Sequence, residues 1–237
     1  MTTLEKIIKF LERRDYSHLI MILFELTAII IGLLLVRKQK VGLFFLAYLF
    51  FDFSISIFDI YIQASARFSR AKTSDFLSAT NSLVALTELI VYYHFFLKII
   101  KNEKTKFLMK YFKIFFTLIV SYGLITKYSF FSPRFFYVSD IVAVIEFLLL
   151  LPPCLVYFFE LLQTESTLSL HKRPSFWIVT GIFLYSVTSI PYYTIANYVY
   201  NTSYNRSLFF LIFFITPFTI NFIFLTRAFL CRKPLTI

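Results

Sequence analysis

Six carboxylates stand inside otherwise apolar stretches of this chain: Glu25, Asp52, Asp59, Glu88, Glu146 and, near the end of its stretch, Glu160. An acid at the centre of a membrane-spanning helix costs about 2.5 to 3.5 kcal/mol on insertion scales, so each is expected to face a protein interior rather than lipid. Acids gathered in such a place have three kinds of work open to them. They hold a cation or cationic ligand, they pass protons, or they stay neutral and hydrogen-bond neighbouring hydroxyls, holding the helices together. No Lys or Arg lies at their depth, and the nearest basic groups are His94 and Lys98, further along the run that carries Glu88.

Spacing puts these acids on polar stripes. Tyr48, Asp52, Ser56, Asp59 and Gln63 recur at intervals of three or four and share one face of a helix. Ser78, Asn81, Glu88 and Tyr92, with Ala85 between them, form a second stripe. Ser139, Glu146, Pro153 and Glu160 follow at sevens along a third, slowly drifting line. At 1.5 Å rise per residue, Glu25, Asp52, Glu88 and Glu146 fall in one layer, roughly 12 to 18 Å below the outer surface, with Asp59 above it. Gly181, Tyr185, Thr188 and Tyr192 share a face of a later run, and Thr216, Thr219 and Asn221 surround Pro217. Tyrosines facing carboxylates build a cage for an organic cation or act as core hydroxyls satisfying the acids.

The elements that must carry these stripes are membrane spans. Hydrophobic residues make up 59% of the 237 and charged residues 16%, far from the balance of a soluble domain. The apolar runs, at 16–36, 41–62, 76–98, 111–126, 138–162, 176–197 and 207–226, predict an all-α, polytopic bundle of seven transmembrane helices, a single domain over 1–237. That leaves no room for a separate catalytic or DNA-binding domain. The net charge of +11 comes from short basic clusters between spans, above all Lys98 to Lys113, which suit anionic lipid headgroups rather than nucleic acid. Cys154 and Cys231 are too far apart along the bundle to predict a disulfide. The acids among the first fifteen residues and the absence of a cleavage motif predict no removable signal peptide.

Of the 24 Lys and Arg, ten fall on the N-terminal side of the seven spans and fourteen on the other, which predicts N-terminus out and C-terminus in. The acid layer then opens outward. Pro153, Pro191 and Pro217 are expected hinges: each removes a backbone donor and frees a carbonyl one turn earlier. Trp177, at the start of its span, is expected to anchor at the headgroup level, Pro174 to start that helix, and Glu160 to meet Lys172 or Arg173 across the intervening loop.

Glu160-Leu161-Leu162, followed after a polar loop by Pro174-Ser175-Phe176-Trp177 and then Gly181 and Tyr185, resembles a pattern in seven-helix integral membrane proteins of Bacteroidetes-type bacteria. The resemblance covers about a tenth of the chain. It implies a bacterial membrane protein of sensory or accessory type, of the kind found beside signalling histidine kinases. Asn201-Thr202-Ser203 and Asn205-Arg206-Ser207 read as polar loop in that setting.

Several function classes drop out. A retinal pigment needs a lysine in the last span, and 207–226 holds none. His18, His94 and His171 fall at different depths and do not converge as zinc ligands, and the four glycines form no phosphate loop or nucleophile elbow. No enzymatic activity, cofactor or nucleic-acid partner is expected, and no metal is identified. The expected function is a receptor-like sensor or accessory protein that binds a cation or cationic ligand at Glu25, Asp52, Asp59, Glu88, Glu146, Tyr185 and Tyr192 and signals through a separate cytoplasmic partner. A proton- or cation-coupled transporter and a structural subunit of a membrane complex are the alternatives. The lack of an internal repeat weighs against transport.

Overall fold

A computed structural model describes residues 17–35, 40–65, 70–129, 136–164, 167–201 and 216–231. These form seven α-helices: α1 (Ser17–Leu35), α2 (Lys40–Ser65), α3 (Arg70–Ile99), α4 (Glu103–Ser129), α5 (Phe136–Thr164), α6 (Pro174–Asn201) and α7 (Thr216–Phe229), with a 3-10 turn at Thr167–Lys172 before α6. Among the described residues there is no strand. Each helix falls on an expected apolar run. The ends Tyr16 and Val36 of the first run, the first half of the seventh, and both Asn-X-Ser stretches apart from Asn201 lie outside the described residues.

Four of the helices contain segments long and apolar enough to cross a membrane: Gly42–Ile62, Ala79–Ile99, Val142–Gln163 and Pro174–Thr194. A shorter apolar stretch runs Ile20–Leu35 in α1. The outward faces carry large apolar side chains, among them Leu34, Tyr122, Phe159 and Leu162, exposed on a scale that a water-soluble monomer does not show. The chain is therefore a multi-pass helical membrane protein. Lipid covers the coat, and helices suit it because their backbone hydrogen bonds are satisfied internally.

The helices close into a ring. Neighbours in space run α1, α2, α3, α5, α6, α7 and back to α1, while α4 stands outside, packed on α3 and, more lightly, on α5. Lipid gives apolar side chains no reason to prefer each other, so close packing and interhelical hydrogen bonds hold such a ring. The helix α3 is the hub of those bonds. From it Thr80 donates to Asp59 of α2 at 3.1 Å, and Tyr93 donates to the Leu149 carbonyl of α5 at 2.9 Å. It also accepts: Tyr185 of α6 donates to Glu88 at 3.4 Å, and the Asn221 amide of α7 donates to the Tyr92 hydroxyl at 2.8 Å. Such bonds are worth roughly 0.6 to 2 kcal/mol each inside a membrane.

The Tyr93 bond has a local cause. Pro153 has no N–H, so the carbonyl of Leu149, one turn before it, loses its helical donor, and Tyr93 supplies the replacement. Pro174 opens α6 as expected, and Trp177 in its first turn donates from Nε1 to the His171 carbonyl at 2.8 Å. The guanidinium of Arg227 lies 5.5 Å above the indole, tying α7 to the same end.

Helix α4 begins at Glu103, two turns before the expected start at Tyr111, because Asn102 caps it by accepting the Thr105 N–H at 3.1 Å. Glu160 joins this corner. Its carboxylate accepts the backbone N–H groups of Lys101 and Asn102 at 2.8 to 3.1 Å, binding the end of α5 to the start of α4. In the first turn of α4 the Lys106 ammonium, 2.8 Å away, holds the exposed Glu103 carboxyl below the usual carboxylate range. A depressed folded value means the contribution is present at neutral pH and is lost as pH falls through that value. Protection of the Thr105 and Lys106 amides, taken against the intrinsic exchange rate at each pH, is expected to fall modestly as the Glu103 carboxylate is protonated, and Glu103→Gln to remove this acid dependence. Protection that does not change with pH in the unsubstituted protein counts against the pair.

Candidate functional site: the acid and tyrosine interior

The ring directs one polar face of each member inward. Glu25 on α1 and Asp52 on α2 come within hydrogen-bonding reach of each other, and the only hydrogen either carboxyl can offer the other is a carboxyl proton. Glu88 on α3 sits within reach of three phenols, Tyr48 from α2, Tyr92 from its own helix and Tyr185 from α6. All three tyrosines are buried. Tyr92 passes the connection on to Asn221 of α7, so one hydrogen-bonded cluster joins four helices around a single carboxyl. Glu146 on α5, 1% exposed, completes the group beside Glu88 and Asp52. Among the described residues no ion pair joins any of these four acids to a Lys or Arg.

Hydroxyls elsewhere in the bundle satisfy themselves. Thr27, Ser54, Thr87, Thr117, Thr180, Thr188 and Thr194 each donate to the carbonyl four residues earlier. The ring interior behaves differently. Glu25 Oε1, Glu88 Oε1, Glu146 Oε1, Ser186 Oγ, Ser189 Oγ, Thr219 Oγ1 and Asn221 Oδ1 are all buried and none has a hydrogen-bond partner. Ser189 lies one turn from Tyr185 on the same face of α6. Four of the seven atoms are carboxyl or amide oxygens, which accept, so the unmet capacity calls for donors.

The interior is also asymmetric. Toward the end marked by Glu160 and Trp177, the layer next to the acids is apolar and sealed: Phe45, Phe96, Leu150, Cys154, Val179 and Ile182 are all fully buried. Toward the opposite end the layer is mixed: Asp52, Ser56 and Asp59 are half-buried beside buried Ile60, Thr80, Val142 and Tyr192.

Of the residues singled out by spacing, Glu25, Asp52, Glu88, Glu146 and Tyr185 come together. Asp59 stands nearer the opposite end, held by Thr80 at 3.1 and 3.2 Å. Tyr192 is buried and packs edge-on against Tyr193, whose ring lies beside Phe147, the neighbour of Glu146. Pro153 is buried within α5, Pro191 is exposed within α6, and Pro217 stands in the first turn of α7 as described. Asn81 is exposed, and the buried face of α3 reads Ser82, Ala85, Glu88 and Tyr92 instead. His94 is exposed and lies against Phe44, 4.8 Å between ring centres. Spacing did not single out Ser186, Ser189, Thr80 or Tyr93. Ser189 had a usable signal in its four-residue offset from Tyr185, whereas Ser186 and Tyr93 had none.

Among the described residues no group of three His, Cys, Asp or Glu side chains is close enough to hold a metal ion. Fold and site define an all-helical, multi-pass membrane protein with an acid and tyrosine interior sealed at one end. No family model, no curated protein and no solved structure matches the chain.

Proposed function

We propose that this chain is a receptor-like membrane sensor that takes an organic cation from outside the cell into the interior lined by Glu25, Asp52, Glu88, Glu146 and Tyr185. Asp59 stands at the mouth and Tyr192 on the wall. The reading is supported by one observation above the rest: seven buried polar atoms without partners, rich in acceptors, lying against a sealed apolar layer. An ammonium or guanidinium group brings several N–H donors to such acceptors, and the rings of Tyr48, Tyr92 and Tyr185 add cation–π attraction. The spread of the acids favours an organic cation over a chelated metal. The seal favours a receptor over a transporter, since a transported ion needs a second exit.

In this reading all seven helices span the inner membrane of a bacterium, N-terminus out and C-terminus in, and the basic segment Lys98 to Lys113 meets anionic headgroups on the inner side. Ligand contact at Glu88 is passed through α3 to α5, with Pro153 and Pro191 as joints and Pro217 as a third at the entry to α7, and on to a separate cytoplasmic partner.

The test is a thermal-unfolding screen of the purified protein with quaternary ammonium, polyamine and guanidinium compounds. A compound at about 100 times its Kd stabilises by about 2.7 kcal/mol, and that gain is expected to vanish in Glu88→Gln and in Asp52→Asn. A folded protein indifferent to every compound sinks the proposal. Gradient-driven flux of a stabilising compound into sealed vesicles would replace the sensor with a transporter.

A further inference from the structure

On the outside of the ring, where α5 ends beside the corner between α3 and α4, lies an open groove of about 860 Å³. Leu155, Phe158, Phe159 and Leu162 of α5 form its apolar wall, and Lys101 and Gln163 stand at its polar end. Three of those apolar side chains are largely uncovered: Leu155 is 56%, Phe159 62% and Leu162 75% exposed.

Depth and charge say what covers this groove. The apolar segments that flank it stop at Ile99 and Gln163, so one half of the groove lies at the depth of acyl chains and the other at the depth of headgroups. Six lysines fall between positions 98 and 113, with Glu103 as the one acid among them. The acid in the groove itself, Glu160, turns its carboxylate to the N–H groups of Lys101 and Asn102, so its charge is met by donors and does not repel an incoming anion. The same bonds fix the backbone that carries the Lys101 side chain, which a loose headgroup-binding loop would not do.

We propose that this groove is a specific site for one anionic phospholipid. Its phosphate sits on the Lys101 ammonium, and an acyl chain lies along Leu155, Phe159 and Leu162. The site is separate from the acid interior and does not depend on the cation-binding reading. Its occupant bridges α5 and the start of α4, two helices that otherwise touch only lightly.

Native mass spectrometry of the full chain, released from bilayers of equal phosphatidylglycerol and phosphatidylcholine, tests the site. One phosphatidylglycerol is expected to be retained at least about tenfold over phosphatidylcholine. Lys101→Gln is expected to abolish that preference, and Leu155→Trp, which fills the groove, to remove the bound lipid. Lys110→Gln, on exposed α4 outside the groove, should leave both intact. Equal retention of the two lipids overturns the proposal. So does an equal loss in Lys101→Gln and Lys110→Gln, which marks diffuse attraction to a basic surface. Melting temperatures of the three variants, compared in lipid-free detergent, show that each remains folded.

Discussion

Gly181→Ile is expected to lower the melting temperature more than any other single change at this interface. A Cβ built on Gly181 comes 2.7 Å from the Cβ of Phe224 and 3.5 Å from its Cγ. Both atoms belong to the stiff root of that side chain, so no rotation relieves the contact and α6 must move away from α7. Overpacking of this kind costs about 1 to 3 kcal/mol for small insertions, and a branched side chain falls at the upper end or beyond. The damage reaches the site, because Asn221 Oδ1 lies 3.6 Å from the same point and its amide holds Tyr92. Gly32 provides the control. Its added Cβ meets Leu46 Cδ1 at 2.8 Å, the free end of a flexible side chain that can turn aside, and the edge of the Phe229 ring at 3.3 Å, which has to give by a few tenths of an ångström. Gly32→Ala is therefore expected to stay within about 1 kcal/mol of the parent, helped by the better helix propensity of alanine. A Gly181→Ile protein that melts within a degree of the parent would show that the two helices do not pack this closely.

The second large effect is expected from Tyr92→Phe, which removes one oxygen and keeps the ring. Asn221 Nδ2 then loses its acceptor in a site where Asn221 Oδ1 already has none, and Glu88 loses one of its three phenols. Leaving a buried donor unmet costs about 1 to 3 kcal/mol. With a transition shift of about 2 to 4 °C per kcal/mol for a chain of this size, the melting temperature should fall by several degrees at a fixed scan rate. Combining Tyr92→Phe with Asn221→Leu should restore part of the loss, because the stranded amide goes with its partner. Purely additive losses would place the cost in ring packing rather than in the hydrogen bond.

Much of this cluster was legible in the spacing of residues, and the reason is geometric. A period of three or four names a helix face, so Tyr48, Asp52 and Asp59 could be set on one stripe and Glu88 with Tyr92 on another. A face is not a neighbour. Nothing in the sequence says that Tyr93, one position round from Tyr92, leaves the acid cluster and reaches the Leu149 carbonyl freed by Pro153. Nor does it show that Glu160 caps backbone amides 58 and 59 residues away. The position of α4 was equally hidden. An outer helix of a soluble protein declares itself by a polar face along its length, but beyond Lys113 the outer face of α4 is as apolar as its inner one, with Phe115, Leu118 and Tyr122 uncovered. The stripes could be read because they are polar in an apolar chain. The ring order depended on contacts between apolar surfaces that look alike.

The closure of α1 on α7 has a consequence for how the protein is made. A ribosome delivers α1, α2 and α3 before α5, α6 and α7, so three of the four central acids enter the membrane with half of their ring still unsynthesised. An acid left facing lipid costs about 2.5 to 3.5 kcal/mol at mid-depth, and Glu25, Asp52 and Glu88 together make the unfinished bundle a poor guest in the bilayer. Closure then resembles setting a keystone: the ring is complete only when α7 docks between α1 and α6. A chain stopped before Thr216 would lack Asn221, the partner of Tyr92, and with it the cover that α7 gives the acids.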